Sequence, residues 1–253
     1  MLLAIDIGNT TIALGGFEGA ELRFVRHLPS DRGMDEDLCA AGIRTLLTEA
    51  GAVPACVEGA VLSSVVPALT DVVAGAAERL TGRPVLVLGR DIRPNVPTGS
   101  YDTRCLGMDR LVDCTAALAR WRPPLAVFDM GTATTLSVVD GGGVFRGGMI
   151  LPGLRLSVDA LSARAAQLPP ITLTPPDRLI GTDTVSCMRS GALYGAAAAL
   201  EGIVLRLEEE LGPLTVVLTG GLGRSILPLL RRPVEYEPCL LLHGLRELWL
   251  HRT

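Results

Sequence analysis

No lysine occurs among the 253 residues, so all 23 basic side chains are arginine. A Walker-type phosphate loop, a Schiff-base or pyridoxal enzyme and a protein kinase of the familiar sort each need a lysine amine, and all three are excluded. Aromatic residues are scarce at 4%, and the six cysteines stand singly, with no Cys-x-x-Cys spacing for zinc or redox work. Isolated thiols of this kind are expected to be unpaired in a reducing compartment. No run of arginine marks a nucleic-acid or anionic-membrane surface. No targeting signal precedes the first apolar run, Met1–Ile5, which ends at Asp6. The longest other apolar stretches, Ala192–Leu200 and Val216–Leu218, fall short of the roughly 20 residues of a membrane span. The expectation is a cytoplasmic protein that touches neither nucleic acid nor membrane. What is present, 48% hydrophobic and 20% charged residues with a net charge of −4, suits a compact soluble globule of one large domain or two smaller ones.

The chain contains an internal repeat. Leu2-Leu-Ala-Ile-Asp6-Ile-Gly8-Asn-Thr-Thr11 recurs 123 positions later as Leu125-Ala-Val-Phe-Asp129-Met-Gly131-Thr-Ala-Thr134, and the register persists to Gly19/Gly142 and Arg23/Arg146. In each copy an apolar run ends in Asp-x-Gly. A β-branched run, a glycine turn (Gly15–Gly19; Asp140–Gly143) and a further extended run follow, which reads as strand–hairpin–strand. The first copy then predicts helices over Glu36–Glu49 and Ala68–Leu80 with strands over Ala60–Val65 and Pro84–Leu88. The second predicts a helix over Thr184–Leu211, a strand over Thr215–Thr219, a short strand near Val234–Tyr236 and a closing helix over Leu240–His251. The fold class is α/β, with two similar lobes each built of a mixed sheet flanked by helices. A proline-rich connector before the second copy puts the boundary within Asp113–Pro124, giving lobes 1–115 and 116–253.

The paired Asp-x-Gly turns carry the chemistry. A buried strand brings Asp6 to its end, and Gly8 lets the chain turn tightly. The amides and side chains of Gly8, Asn9, Thr10 and Thr11 can then donate to phosphate oxygens, while Asp6 holds Mg²⁺ directly or through water. Gly131, Thr132 and Thr134 after Asp129 offer the same equipment, and the expectation is that the two turns grip one triphosphate across an interlobe cleft. Either aspartate alone equally suits simple turn stabilisation; the duplication argues for ligand binding. A third glycine turn, Thr219-Gly220-Gly221, opens a strand–helix junction suited to a nucleotide or to ordinary packing. Asp109, at the start of a helix through Val112–Ala119, suits either a dipole-complementing acid or a group that deprotonates a hydroxyl. Arg110 beside it is a planar fork for a carboxylate.

Twin Asp-x-Gly hairpins with a late Thr-Gly-Gly resemble the actin/sugar-kinase/Hsp70 superfamily, with its duplicated ribonuclease H-like fold. Within it the chain resembles type III pantothenate kinases from end to end. The strings are Asp6-Ile-Gly-Asn-Thr10, Ser63-Ser-Val-Val-Pro67, Leu106-Gly-Met-Asp-Arg110, Asp129-Met-Gly-Thr-Ala-Thr134, Gly147-Gly-Met-Ile-Leu-Pro-Gly153 and Thr219-Gly-Gly221. The resemblance implies ATP-dependent phosphorylation of pantothenate, the entry to coenzyme A synthesis, by a homodimer. It implies Asp109 as catalytic base, and Gly107, Met108, Asp109 and Arg110 lining the pantothenate pocket, with Tyr101 beside it and Thr184 reaching in from the partner subunit. It further implies a monovalent cation, K⁺ or NH₄⁺, at Asp129 and an ATP contact at Thr132. Asp102-Thr-Arg-Cys-Leu106 departs from the family, which has a proline in this loop. Two other readings are another small-molecule kinase or phosphatase of the superfamily and a non-catalytic transcription accessory protein; intact Asp6, Asp109 and Asp129 argue against the latter.

Overall fold

The apolar run from Leu2 has no polar face to turn to solvent, and it forms the central strand of a five-stranded sheet in the computed structural model, which describes residues 1–252. This strand, β1 (Leu2–Ile7), pairs antiparallel with β2 (Thr11–Glu18), which pairs antiparallel with β3 (Glu21–Pro29). On its other side β1 runs parallel to β4 (Gly59–Ser64), and β4 runs parallel to β5 (Val85–Val87), giving the order β3-β2-β1-β4-β5. The parallel strands require crossovers. These are α1 (Glu36–Glu49), capped by Asp35 accepting from the Leu38 amide at 2.8 Å, and α2 (Pro67–Thr81), with Pro67 in its first turn and left-handed Gly82 at its end. Their apolar faces, including Ile43, Leu47, Leu69 and Val73, bury against Leu3, Ile5 and Leu62 of the sheet.

The expected turn at Gly15–Gly19 lies mostly within β2. Gly15 and Gly16 are strand residues whose missing side chains make room for others: a Cβ on Gly16 would stand 2.5 Å from Phe24 Cζ, and one on Gly15 2.9 Å from Leu242 Cδ1. The chain reverses only at Gly19, where φ is +59°.

The compact unit built on this sheet comprises Met1–Asn95, Gly107–Ala116 and the chain from Leu241 onward. Its middle segment holds most of α3 (Met108–Arg120). The second unit comprises Val96–Leu106 and Ala117–Leu240. In it β6 (Leu125–Met130) pairs antiparallel with β7 (Ala133–Val139), and β7 with β8 (Phe145–Pro152). After α4 (Leu154–Arg164) and α5 (Thr184–Leu211), β9 (Thr215–Thr219) joins β6 in parallel; the four-residue α6 (Gly223–Ile226) leads to β10 (Glu235–Tyr236), parallel to β9. The resulting order β10-β9-β6-β7-β8 is the topology of the first sheet repeated strand for strand. Two mixed sheets with flanking helices are thus the duplicated α/β fold that the repeat predicts. The chain closes with α7 (Leu240–Leu250).

Helix α5 begins in a capping box: Asp183 accepts from the Ser186 amide at 3.0 Å, and the Ser186 hydroxyl accepts from the Asp183 amide at 3.1 Å. Among the described residues it alone is long and apolar enough to cross a membrane, although its uninterrupted apolar run, Ala192–Leu200, is far shorter than a span. Leu193, Leu200 and Val204 on one of its faces belong to the core of the second unit. No disulfide joins the six cysteines.

Candidate active site

In the first unit Asp6 is the penultimate residue of β1, opposite Ala13 of β2 and level with Ser63 of β4. The following turn is closed by the Gly8 amide donating to Thr11 O at 2.9 Å. Ser30, just beyond β3, fastens it from outside: its amide donates to Thr10 O at 3.0 Å and its hydroxyl to Gly8 O at 2.7 Å. Asn9, Thr10 and Thr11 are left as the exposed residues of a turn held at both ends. Ser30 carries no pattern that marks it in the sequence. Its part in the turn arises from strand pairing.

The same unit holds the Gly-x-Asp-Arg string at the start of α3. Asp109 accepts from the Arg110 amide at 2.9 Å, so its carboxylate folds back over the first turn of the helix. There it lies against Gly107, where any Cβ would collide with Asp109 Oδ1; the glycine of the string is the space the aspartate occupies. Arg110 is 8% exposed, and Met108 is half-buried. A carboxylate fixed at a helix N-terminus, with one oxygen engaged by a backbone amide, is placed to accept a proton or orient a hydroxyl.

In the second unit Asp129 is likewise the penultimate residue of its strand, paired with Thr135 of β7 and level with Thr219 of β9. The Gly131 amide closes this turn on Ala133 O at 3.1 Å, with Thr132 exposed at its tip. Two glycines press on it. A Cβ on Gly153, the N-cap residue just before α4, would collide with Thr132 O and stand 2.7 Å from Gly131 O. Gly220, at φ +84°, lies so close that a Cβ would collide with Asp129 Oδ1 and stand 2.6 Å from the Met130 amide nitrogen. The Leu222 amide ties the third glycine turn to Met130 O at 3.2 Å, and Gly221 is exposed beside it. The structure therefore brings Asp129, Gly131, Thr132 and Gly220 together. Thr134, half-buried in β7, lines a cavity of about 270 Å³ with Met130, Leu151, Ala192, Ala196 and Ile203.

Tyr101 sits in the segment Val96–Leu106, its ring edge-on to Phe145 of β8 with centroids 5.1 Å apart. Where the family has a proline, Asp102 organises the loop: it accepts from the Arg104 amide at 3.1 Å and pairs with the Arg104 guanidinium through Nε at 2.9 Å and Nη2 at 2.6 Å. Hydrogen bonds from Arg104, first through its side chain and then its backbone, hold the Asp102 carboxyl below its ordinary range. Thr184 is the first residue of α5 and is exposed, directly after the capping Asp183.

No cluster of three His, Cys, Asp or Glu side chains is assembled among the described residues. Single carboxylates among carbonyl and hydroxyl oxygens make a donor set for a hard cation that arrives with its phosphates, rather than for a resident metal cage. The residues fit a divalent ion on those terms.

A family model described as type III pantothenate kinase matches residues 2–206. The type III pantothenate kinase of Moorella thermoacetica is 39% identical over 254 residues, covering 100% of both chains. Among solved structures the chain is similar to component A of (R)-2-hydroxyglutaryl-CoA dehydratase from Acidaminococcus fermentans, with a TM-score of 0.56 at 14% identity, covering 99% of this chain and 96% of that one. It is also similar to the ROK hexokinase of Thermus thermophilus, with a TM-score of 0.51 at 18% identity and 98% coverage of each.

Proposed function

The chain belongs to the type III pantothenate kinase family, transferases that phosphorylate pantothenate with ATP and a divalent metal in coenzyme A biosynthesis, and we propose that its Asp-x-Gly turns and Gly-x-Asp-Arg string supply the working groups. Asp6, Gly8, Asn9, Thr10 and Thr11 bind ATP in the first unit. Gly131, Thr132, Thr134, Gly220 and Gly221 bind it in the second. Turn amides and hydroxyls donate to phosphate oxygens, as in other backbone anion sites. The divalent ion is Mg²⁺, held through Asp6 directly or by water, and it neutralises phosphate charge. Asp129 holds a monovalent cation, K⁺ or NH₄⁺.

Pantothenate joins a carboxylate to a primary hydroxyl. Arg110 offers the carboxylate a two-pronged partner, with Tyr101, Gly107 and Met108 as further contacts. Asp109 orients the hydroxyl and takes its proton as the oxygen bonds to the γ-phosphorus and ADP departs, a step in which alignment and charge neutralisation do most of the work. The enzyme acts in the cytoplasm as a homodimer, with Thr184 reaching the partner's pantothenate site and no role for nucleic acid or membrane. The functional division of the chain is 1–115 and 116–253.

The observation that carries this reading is the placement of both aspartates at equivalent strand ends in two identical topologies, each followed by a glycine turn with exposed threonine. The test is a coupled assay with pantothenate, Mg-ATP and K⁺. Asp109→Asn is expected to lose about 10²–10⁴ in rate, the scale of a lost general base. Near-full turnover by that variant removes Asp109 from the role.

A further inference from the structure

The string Gly147-Gly-Met-Ile-Leu-Pro-Gly153 enters the phosphate turn through Gly153, but its first glycine lies elsewhere. Gly147 is a buried residue of β8 with φ +113°. A bulge in β8 sets Phe145 opposite Val139 and Gly147 opposite Val138, and both residues border Tyr101, whose ring is set edge-on to Phe145 at an interplanar angle of 79°. That ring covers the bare Cα of Gly147: a Cβ there would stand 3.1 Å from Tyr101 Cε2 and 3.3 Å from Cδ2. The main chain holds the same arrangement, with the Phe145 amide donating to Pro97 O at 2.8 Å and the Tyr101 amide to Thr98 O at 2.9 Å. Tyr101 is thus fixed from the β8 side, yet it remains 36% exposed. The geometry points to Gly147 as a positioning residue for pantothenate, acting through Tyr101: its missing side chain is the shelf on which the ring rests. This builds on the reading that Tyr101 lines the pantothenate pocket.

The test compares Gly147→Ala, Tyr101→Ala and the double variant in the coupled assay. Gly147→Ala raises KM for pantothenate about ten- to a hundredfold, the scale of an ångström-level misplacement, and leaves KM for ATP unchanged. Once Tyr101→Ala has removed the ring, adding Gly147→Ala brings no further rise. Gly143→Ala, in the same hairpin at φ +79° with nothing within 4 Å of a Cβ, carries the backbone strain without the ring contact and leaves KM for pantothenate unchanged. Additive effects of the two substitutions, or an equal rise in KM for ATP, overturn the proposal while Tyr101 keeps its role. A silent Tyr101→Ala overturns both. If Gly147→Ala fails to accumulate, recovery of folded protein in the double variant identifies the ring as the obstacle, and failure of both rejects it.

Discussion

Gly153→Ala separates steric crowding from backbone strain. Gly153 has φ −65° and ψ 155°, which alanine adopts without penalty, so its whole effect comes from what the methyl meets. That methyl would collide with Thr132 O and stand 2.7 Å from Gly131 O, where ordinary contact begins near 3.4 Å, so the turn must retreat by about 0.7 Å or more. Overpacking of this kind costs about 1–3 kcal/mol. For a chain of this length that is roughly 2–12 °C in Tm. The kinetic effect is expected to be larger in proportion, because a displacement near 1 Å in a phosphate-positioning group costs about 10²-fold. Steady-state assays at varied ATP and saturating pantothenate measure it as a fall in kcat/KM for ATP. Gly82→Ala is the control: φ there is +67° with nothing within 4 Å, so it costs about 1 kcal/mol of left-handed strain and leaves kinetics unchanged. A Gly153→Ala enzyme that loses Tm but keeps wild-type kcat/KM for ATP refutes the assignment of the Gly131–Thr132 turn to phosphate binding.

Two further outcomes follow from local chemistry. Backbone and side-chain hydrogen bonds from Ser186 lower the Asp183 carboxyl. Its contribution to α5 is therefore complete above the unfolded value near 3.9 and is lost as pH falls through the lower folded value; the Tm gap between wild type and Asp183→Ala narrows only in that acid range, and a gap independent of pH rejects the cap. Burial, reinforced by Glu36, pushes the Cys39 thiol to about 11, so brief alkylation near neutral pH is expected to modify the exposed Cys56, Cys105 and Cys187 and spare Cys39 until the protein unfolds. Peptide mass spectrometry reads this directly, and equal labelling of Cys39 contradicts it.

Elements bounded by local chemistry were legible in the sequence. Helix α5 and strand β9 occupy the predicted spans because a cap box opens the helix and Gly212-Pro213 stops it. Helix α4 is not foreshadowed, because its stripe of Leu154, Val158 and Leu161 is short, is offset by Leu156 on the opposite face, and is buried only at Leu154 and Val158. Gly15 and Gly16 read as a turn because the partners that require them, Leu242 and Phe24, are supplied by packing rather than by neighbours in sequence. The candidate site divides in the same way. Its carboxylates announce themselves through the repeat, whereas Ser30, Gly153 and Gly220 acquire their parts only when distant segments meet.

The unit that begins at Met1 is finished by residues from Leu241 onward: Gly244 of α7 lies so near α3 that a Cβ would collide with Val112 O, and the Trp249 ring covers Gly59 of β4. On the ribosome, where domains tend to fold in the order they emerge, this amino-terminal half has to wait. Its sheet is translated ahead of the second unit but its last helix after it, so a translation product that stalls before Leu241 leaves that sheet with an uncovered flank.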